Sequence, residues 1–256
     1  MYKSKKYTEK SYDLIASEID SLARYSETRR VFIADGDALG LNTPLLLKIL
    51  EKLKFTFPKL RRISIYGNAL NILKKTDQEL ESLSGAGLSL IYLGLESGSD
   101  LILGKIKKGV SKEEQELAIT RAENCGLDVS ATIVTGLGGK ERWKEHIEQS
   151  ADLVNTAAPK HLSTLSLMLP PDAHKRLMSV FENRFTPQDD AAMLEEAKLL
   201  ISLINSKKRI IFRSNHASNT LALRGTLPRD KESLVNQIDL ALASGSDLRP
   251  HWLRGF

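Results

Sequence analysis

The chain has 256 residues, 41% of them hydrophobic and 27% charged, which supports a packed core and excludes a disordered or low-complexity segment. Its apolar runs are short and broken by polar residues, which excludes a membrane-spanning helix, and 37 basic against 32 acidic side chains leave +5, too little to require a polyanionic partner. The one cysteine, Cys125, cannot form an internal disulfide, and Met1-Tyr2-Lys3-Ser4-Lys5-Lys6-Tyr7 carries no apolar signal segment, so a cytoplasmic location without a membrane partner is expected.

In chain order, Ser11 to Arg24 reads as a helix ahead of the first strand-like run, Val31-Phe32-Ile33. Thr43 before Pro44 offers an N-cap and a first-turn proline, and Leu46, Ile49, Leu50 and Leu53 then share one apolar stripe. The basic residues from Lys48 to Lys75, opposed only by Glu51, read as the wet faces of that helix and its flanking loops. Ile63 to Tyr66 and Leu90 to Leu93 are the next runs. Thr76 with Glu79, and Ser111 with Glu114, have the spacing of reciprocal capping boxes, while Gly87 and Gly126 stand where helix C-caps are expected. Val129 to Val134 precedes an amphipathic stripe on Trp143, Ile147, Ala151 and Val154, and Leu162 to Leu169 is the fifth run. Successive runs start 27 to 39 residues apart with helical segments between them, the interval of βα units around a parallel sheet. After Pro170-Pro171 a helix on Met193, Ala197, Leu200 and Ile204 leads to Ile210-Ile211-Phe212 and a last helix on Leu234, Ile238 and Leu242. The helix-start signature Thr186 to Asp190 places a seam near Pro187, dividing residues 1–186 from a mainly helical extension, 187–256, packed on them.

In parallel α/β folds ligands gather beyond the carboxyl ends of the strands. Those ends read Asp35-Gly36-Asp37, Tyr66-Gly67-Asn68, Glu96-Ser97-Gly98-Ser99 and Thr135-Gly136-Leu137-Gly138-Gly139. Carboxylates accept from amines and hydroxyls, and glycines let backbone approach a planar ring. Each has a plain alternative: Asp35 and Asp37 as turn residues or N-caps, Gly136 to Gly139 as a turn, His146 as a solvated helix position, Cys125 as a small buried hydrophobe. No metal-ligating set stands out.

Taken in order, these segments resemble the radical S-adenosylmethionine (SAM) superfamily, whose partial (β/α) barrel has six βα units, of which about five are present in residues 1–186. Asp35 to Leu39 is similar to the motif whose acid receives the amino group of SAM. Gly94 to Gly98 is similar to the segment that meets the ribose, and Ile133 to Gly139 to the one along the adenine. Gly136 to His146, Ser214 to Asn219 and Gly225 to Lys231 resemble a sub-group known as Fe–S oxidoreductases. The resemblance thus implies a SAM site with Asp35, Gly36 and Asp37 at the amine, Asn68 beside them, Glu96 and Ser97 at the ribose, and Ile133, Gly136, Leu137 and Gly138 at the adenine. Arg213, Asn215, His216 and Asn219 follow the short run Ile210 to Phe212 and are the candidate substrate contacts at the barrel mouth, with the alternative that the histidine and asparagines only tie down an irregular loop.

One departure stands against this set. The family's [4Fe–4S] cluster needs three cysteines, spaced three and then two residues apart, and this chain has none in such an arrangement. Met1 to Tyr7 is similar to the stretch that follows the third of them, so the expectation is a chain that begins just past the cluster loop. An intact form would cleave SAM reductively, with an external electron donor, to a 5′-deoxyadenosyl radical acting on an unidentified substrate. The alternatives are a non-catalytic SAM-binding half-domain that depends on a partner for its cluster and, less favoured, an RNA-modifying or phosphate-binding barrel. A nucleic-acid partner is not expected, because no aromatic residues interleave with the Lys48–Arg62 basic stretch. An exposed strand edge gives an expectation of self-association.

Overall fold

The computed structural model describes residues 8–34, 37–245 and 247–255, so Asp35, Gly36 and the Met1–Tyr7 segment lie outside the described residues. The chain divides into two compact units, residues 1–93 with 120–129, and residues 94–119 with 130–256.

The first unit runs α1 (Tyr12–Ser21), β1 (Arg30–Ile33), a single 3-10 turn (Ala38–Gly40), α2 (Thr43–Thr56), β2 (Arg62–Gly67), α3 (Ala69–Lys74), α4 (Asp77–Gly85) and the first six residues of β3 (Leu88–Glu96). The three strands pair in parallel, Val31 beside Ile63 and Ile65 beside Ile91. Ile63, Ile65, Ile91 and Leu93 are buried, as is the expected stripe Leu46, Ile49, Leu50 and Leu53 on α2. The capping box of Thr76 and Glu79 forms as its spacing predicts, and Gly87 takes a positive φ of 102° after α4.

Two local expectations are corrected. Asn42, not Thr43, caps α2, accepting from the Leu45 N–H. The Thr43 hydroxyl donates instead to Glu79 at 2.7 Å and accepts from Lys75 at 3.3 Å. Lys75 is therefore not part of a wet face. It is 8% exposed, donates also to the Leu41 carbonyl, and burial lowers its pKa against the opposing pull of Glu79. Lys52 and Lys59 pair with Asp20 and Glu27 as the spacing predicts, while Arg62 lies half-buried in β2.

The second unit contains α5 (Asp100–Lys105), the first eight residues of α6 (Lys112–Asn124), most of β4 (Asp128–Thr135), α7 (Gly139–Ala157), β5 (His161–Ser166), α8 (Pro171–Val180), α9 (Asp190–Leu203), β6 (Ile210–Ser214), β7 (Leu223–Leu227) and α10 (Lys231–Ser244). β4, β5 and β6 are parallel, and β7 returns antiparallel to β6. The α/β class with a mostly parallel sheet is thus the one the sequence predicts. The seam at Pro187 does not bound a compact unit: the segment beyond it supplies strands as well as helices, and Phe212 pairs with Leu162 of β5. α8 is the main element the periodicity misses, although Pro171 at its first turn is a start signal. Among the described residues no helix is long and apolar enough to cross a membrane.

Arg121, in the last turn of α6, closes the end of α3. Its guanidinium donates to the Leu73 and Lys75 carbonyls at 3.2 and 2.8 Å and pairs with Asp77 at 2.6 Å. Helix ends leave carbonyls without partners, and only a planar fork reaches several at once. Arg121→Ala should lower unfolding stability by ~1.5 to 3 kcal/mol in urea titration, with Arg121→Lys recovering little of the loss.

Candidate functional site

In the first unit, the Asp37 carboxylate is oriented by two amides. Asn68 is the N-cap of α3, its Oδ1 accepting from the Asn71 N–H, and its Nδ2 donates to Asp37 Oδ2 at 2.8 Å. The side-chain amide of Asn71 donates to the other carboxylate oxygen. The glycines around them make room: a Cβ on Gly67 would lie 2.7 Å from Leu39, and one on Gly40 3.1 Å from the Asn71 amide. Asp37 is half-buried, and among the described residues it enters no ion pair. Such a carboxylate is preorganised for a cationic donor. On the same strands Phe32, Tyr66 and Tyr92 form a triangle with ring centroids 4.6 to 6.2 Å apart. Phe32 is 39% and Tyr66 46% exposed. The signal for this group was the strand alternation, which puts all three opposite the buried Ile63, Ile65 and Ile91.

In the second unit, β3 ends at Glu96, which adopts φ +68°, uncommon for a residue with a side chain. Its carboxylate folds back over Gly94, where a Cβ would meet Oε1 at 2.4 Å, and pairs with Lys108 at 2.9 Å. Ser97, Gly98 and Ser99 are then stitched to α7. The Gly98 N–H donates to Ser150 at 2.8 Å, the Ser99 hydroxyl to Glu145 at 3.0 Å, and the Ser99 N–H to Ser97 Oγ at 2.9 Å. Gly98 must be glycine, because a Cβ would stand 2.3 Å from the Gln149 carbonyl oxygen.

His146 is fully buried, not solvated. Its Nε2 is 2.9 Å from the Val134 carbonyl, which can only accept, so Nε2 carries the proton and Nδ1 accepts from the Ser97 hydroxyl at 2.8 Å. Burial holds the imidazole neutral, its pKa pushed down to about 4. The sequence signal was its position four residues before Ser150, on the same helix face as Ile147 and Ala151. Ser97 has no exposed surface either, so it positions this segment and has no hydroxyl to offer a ribose.

The glycine-rich turn after β4 starts at Gly136, φ +86°, whose N–H donates to Glu196 Oε2 at 2.6 Å while Gln188 donates to Oε1 at 3.2 Å. Glu196 is fully buried, and burial raises its pKa to about 7 against those two hydrogen bonds. Gly136 lines a cavity of about 360 Å³ together with Ser166, Leu167, Met168, Gln188 and Arg254. The Arg254 side chain is 5% exposed and pairs with Asp190, and its buried Nε has no partner. Of the expected adenine set only Gly136 reaches this cavity. Ile133 is fully buried, Leu137 packs with Ile102, Phe181 and Phe185, and Gly138 lies tight on α7, where a Cβ would be 2.8 Å from the Arg142 carbonyl.

The expected substrate contacts divide similarly. Asn219 is buried and saturated, accepting from the Ser166 N–H and donating to the Thr164 carbonyl and Ser214 hydroxyl. His216 Nδ1 accepts from the Ser218 N–H, and Arg249 donates to the His216, Ala217 and Asn219 carbonyls. These bonds tie down the loop and leave the buried Asn219 no free polar atom, while Arg213, Asn215 and His216 stay exposed. Cys125 is buried at the end of α6, its thiol pKa raised by burial. A single buried thiol cannot ligate a [4Fe–4S] cluster, and among the described residues no group of metal-ligating side chains forms.

Comparison with known proteins adds an independent line. The radical SAM superfamily model matches residues 2–154. A protein of Methanocaldococcus jannaschii that carries the name methylthiotransferase is 37% identical over 59 residues, 23% of this chain and 13% of its own length. Coproporphyrinogen III oxidase of Escherichia coli, a radical SAM enzyme, shares the fold at a TM-score of 0.56 and 14% identity, over 77% of this chain and 47% of its own. The archaeal Elp3 of Methanocaldococcus infernus aligns at a TM-score of 0.57 and 14% identity, over 92% of this chain and 59% of its own. The chain therefore spans only part of the length of each relative.

His146 and Glu196 pull stability in opposite directions with pH. Between pH 4 and 6.5 the unfolded chain binds a proton that folded His146 refuses, so stability falls on acidification. Between pH 4.5 and 7 folded Glu196 keeps a proton that the unfolded chain has released, so stability falls as pH rises. Each contributes up to about 3 kcal/mol, and the two largely cancel. Glu196→Gln should expose the histidine slope: its denaturant midpoint should drop steeply from pH 6.5 to 4 where that of the parent stays flatter. Equal slopes would contradict the assignment.

Proposed function

Because the chain belongs to the radical SAM superfamily, we propose that it binds SAM and acts in the chemistry of that family on a substrate not identified by its relatives. The observation that carries this reading is the cavity beside Gly136, of a size suited to a small ligand and walled by the apolar Leu167 and Met168. Gln188, at the cavity wall, supplies a side-chain amide with which such a cavity would meet the edge of an adenine ring. The Glu96 carboxylate, held by Lys108 yet 29% exposed, keeps an oxygen for ribose hydroxyls.

In the family, SAM bound at a [4Fe–4S] cluster supplies a 5′-deoxyadenosyl radical. This chain's residues do not fit that cluster, and the radical step requires thiolates from outside it. What the chain itself does is bind and orient: Gly136 and its Glu196 partner set the shape of the cavity wall, and Ser97 with His146 hold the segment that carries Glu96.

Calorimetric titration with SAM tests the reading. Glu96→Gln should weaken binding by less than about tenfold, because ribose hydroxyls are neutral donors that an amide oxygen can still accept from. Met168→Trp, which fills the cavity, should abolish binding, while the exposed Glu148→Gln should leave it unchanged. If Met168→Trp binds SAM like the parent, the site is elsewhere. Anaerobic reconstitution of the same chain should give neither stoichiometric iron and sulfide nor the brown absorbance of a cluster.

A further inference from the structure

Four strands of the second unit set one polar residue each in a single register row. Thr132 of β4 stands beside Ser163 of β5, Ser163 beside Arg213 of β6, and Arg213 beside Arg224 of β7. With strands about 4.8 Å apart the row is roughly 14 Å long. The alternate positions Ile210, Phe212, Leu223 and Leu227 are buried, and a Cβ on Gly225 would lie 2.9 Å from Leu234 of α10. α10 therefore covers the opposite face of β7, and the row occupies the uncovered one, where both arginines are exposed.

The two guanidinium groups are the anomaly. Like charges directly opposite in an antiparallel pair repel and cost stability. Among the described residues neither arginine enters an ion pair. Arg213 donates through one nitrogen to the Phe212 and Gly225 carbonyls at 2.6 and 3.3 Å, which anchors the group and leaves Nε and the other Nη unused. Among the described residues the Arg224 side chain makes no hydrogen bond. Beside them Thr132 and Ser163 bond each other at 2.8 Å and the Ser163 hydroxyl donates to the Ala131 carbonyl at 3.3 Å, so these two hydroxyls are spent on each other and on the backbone. Two guanidinium groups on paired register positions match a carboxylate or phosphate group that bridges them and removes the repulsion.

We infer that this row binds the carboxylate or phosphate of an anionic small molecule, which gives the substrate class for the proposed function and rests on that reading for the word substrate. Arg224, absent from the sequence motifs, is the second half of the site whose first half is Arg213.

The test titrates the full chain with citrate and with pyrophosphate at fixed ionic strength, alongside Arg213→Gln, Arg224→Gln and Arg224→Lys, and measures the melting temperature of each without ligand. At least one probe should bind the parent, each glutamine variant should weaken it roughly tenfold or more, and Arg224→Lys should retain more affinity than Arg224→Gln. Unliganded Arg224→Gln should melt no lower than the parent, since the repulsion is relieved. Absence of binding to both probes at millimolar concentration, unchanged affinity in Arg224→Gln, or a lowered melting temperature in that variant would each overturn the inference. SAM titrated in parallel separates the two readings: a parent that binds citrate through its arginines but not SAM removes the proposed function alone, and the reverse removes the anion row alone.

Discussion

A neutral imidazole with no exposed surface holds together the strand ends of the second unit. His146 donates to the carbonyl of Val134 near the end of β4 and accepts from Ser97 just past the end of β3, so one side chain on α7 fixes both strand ends. Each bond is satisfied only in the uncharged tautomer that burial enforces. Around it Ser150 and Glu145 bind Gly98 and Ser99, and Gly98 is pressed so close to α7 that no side chain fits. A polar network of this kind is rigid because every member is paired, and losing one would strand the others without water. The left-handed conformation of Glu96 depends on that rigidity, since such a φ costs ~1 to 3 kcal/mol and persists only where its neighbours enforce it.

The contrast between compensated and uncompensated charge then separates structure from function. Lys75, Arg121 and Arg249 are charged groups and Glu196 an ionisable one placed among backbone carbonyls, amides or opposite charges, and each closes a helix end or a loop. Asp37 and the Arg213–Arg224 pair differ. They are oriented by neighbours but not neutralised by them, which is the arrangement expected of groups that meet a ligand of opposite charge.

Six of the strands and the α/β class were legible because β-branched and apolar runs recur at the interval of a βα unit and because local signals such as the Thr76–Glu79 box act within a few residues. What sequence could not give was the use of each polar group. Ser97, Gly138 and Asn219 stand in segments similar to ligand-binding motifs, yet their atoms are spent on packing and on hydrogen bonds to residues 49, 4 and 55 positions away. Conversely, Arg224 and Glu196 carry no motif, and their roles arise only from strand register and from α9 folding over Gly136. β7 and α8 were hidden for a related reason: short elements with mixed polarity are made by their tertiary neighbours, not by propensity.

The proposed SAM site is the cavity beside Gly136. Amide hydrogen exchange with and without SAM addresses it directly. The account predicts slowed exchange confined to residues 134–139 and 165–170, with α10 unchanged. Binding of SAM without any protection in those two segments would contradict it.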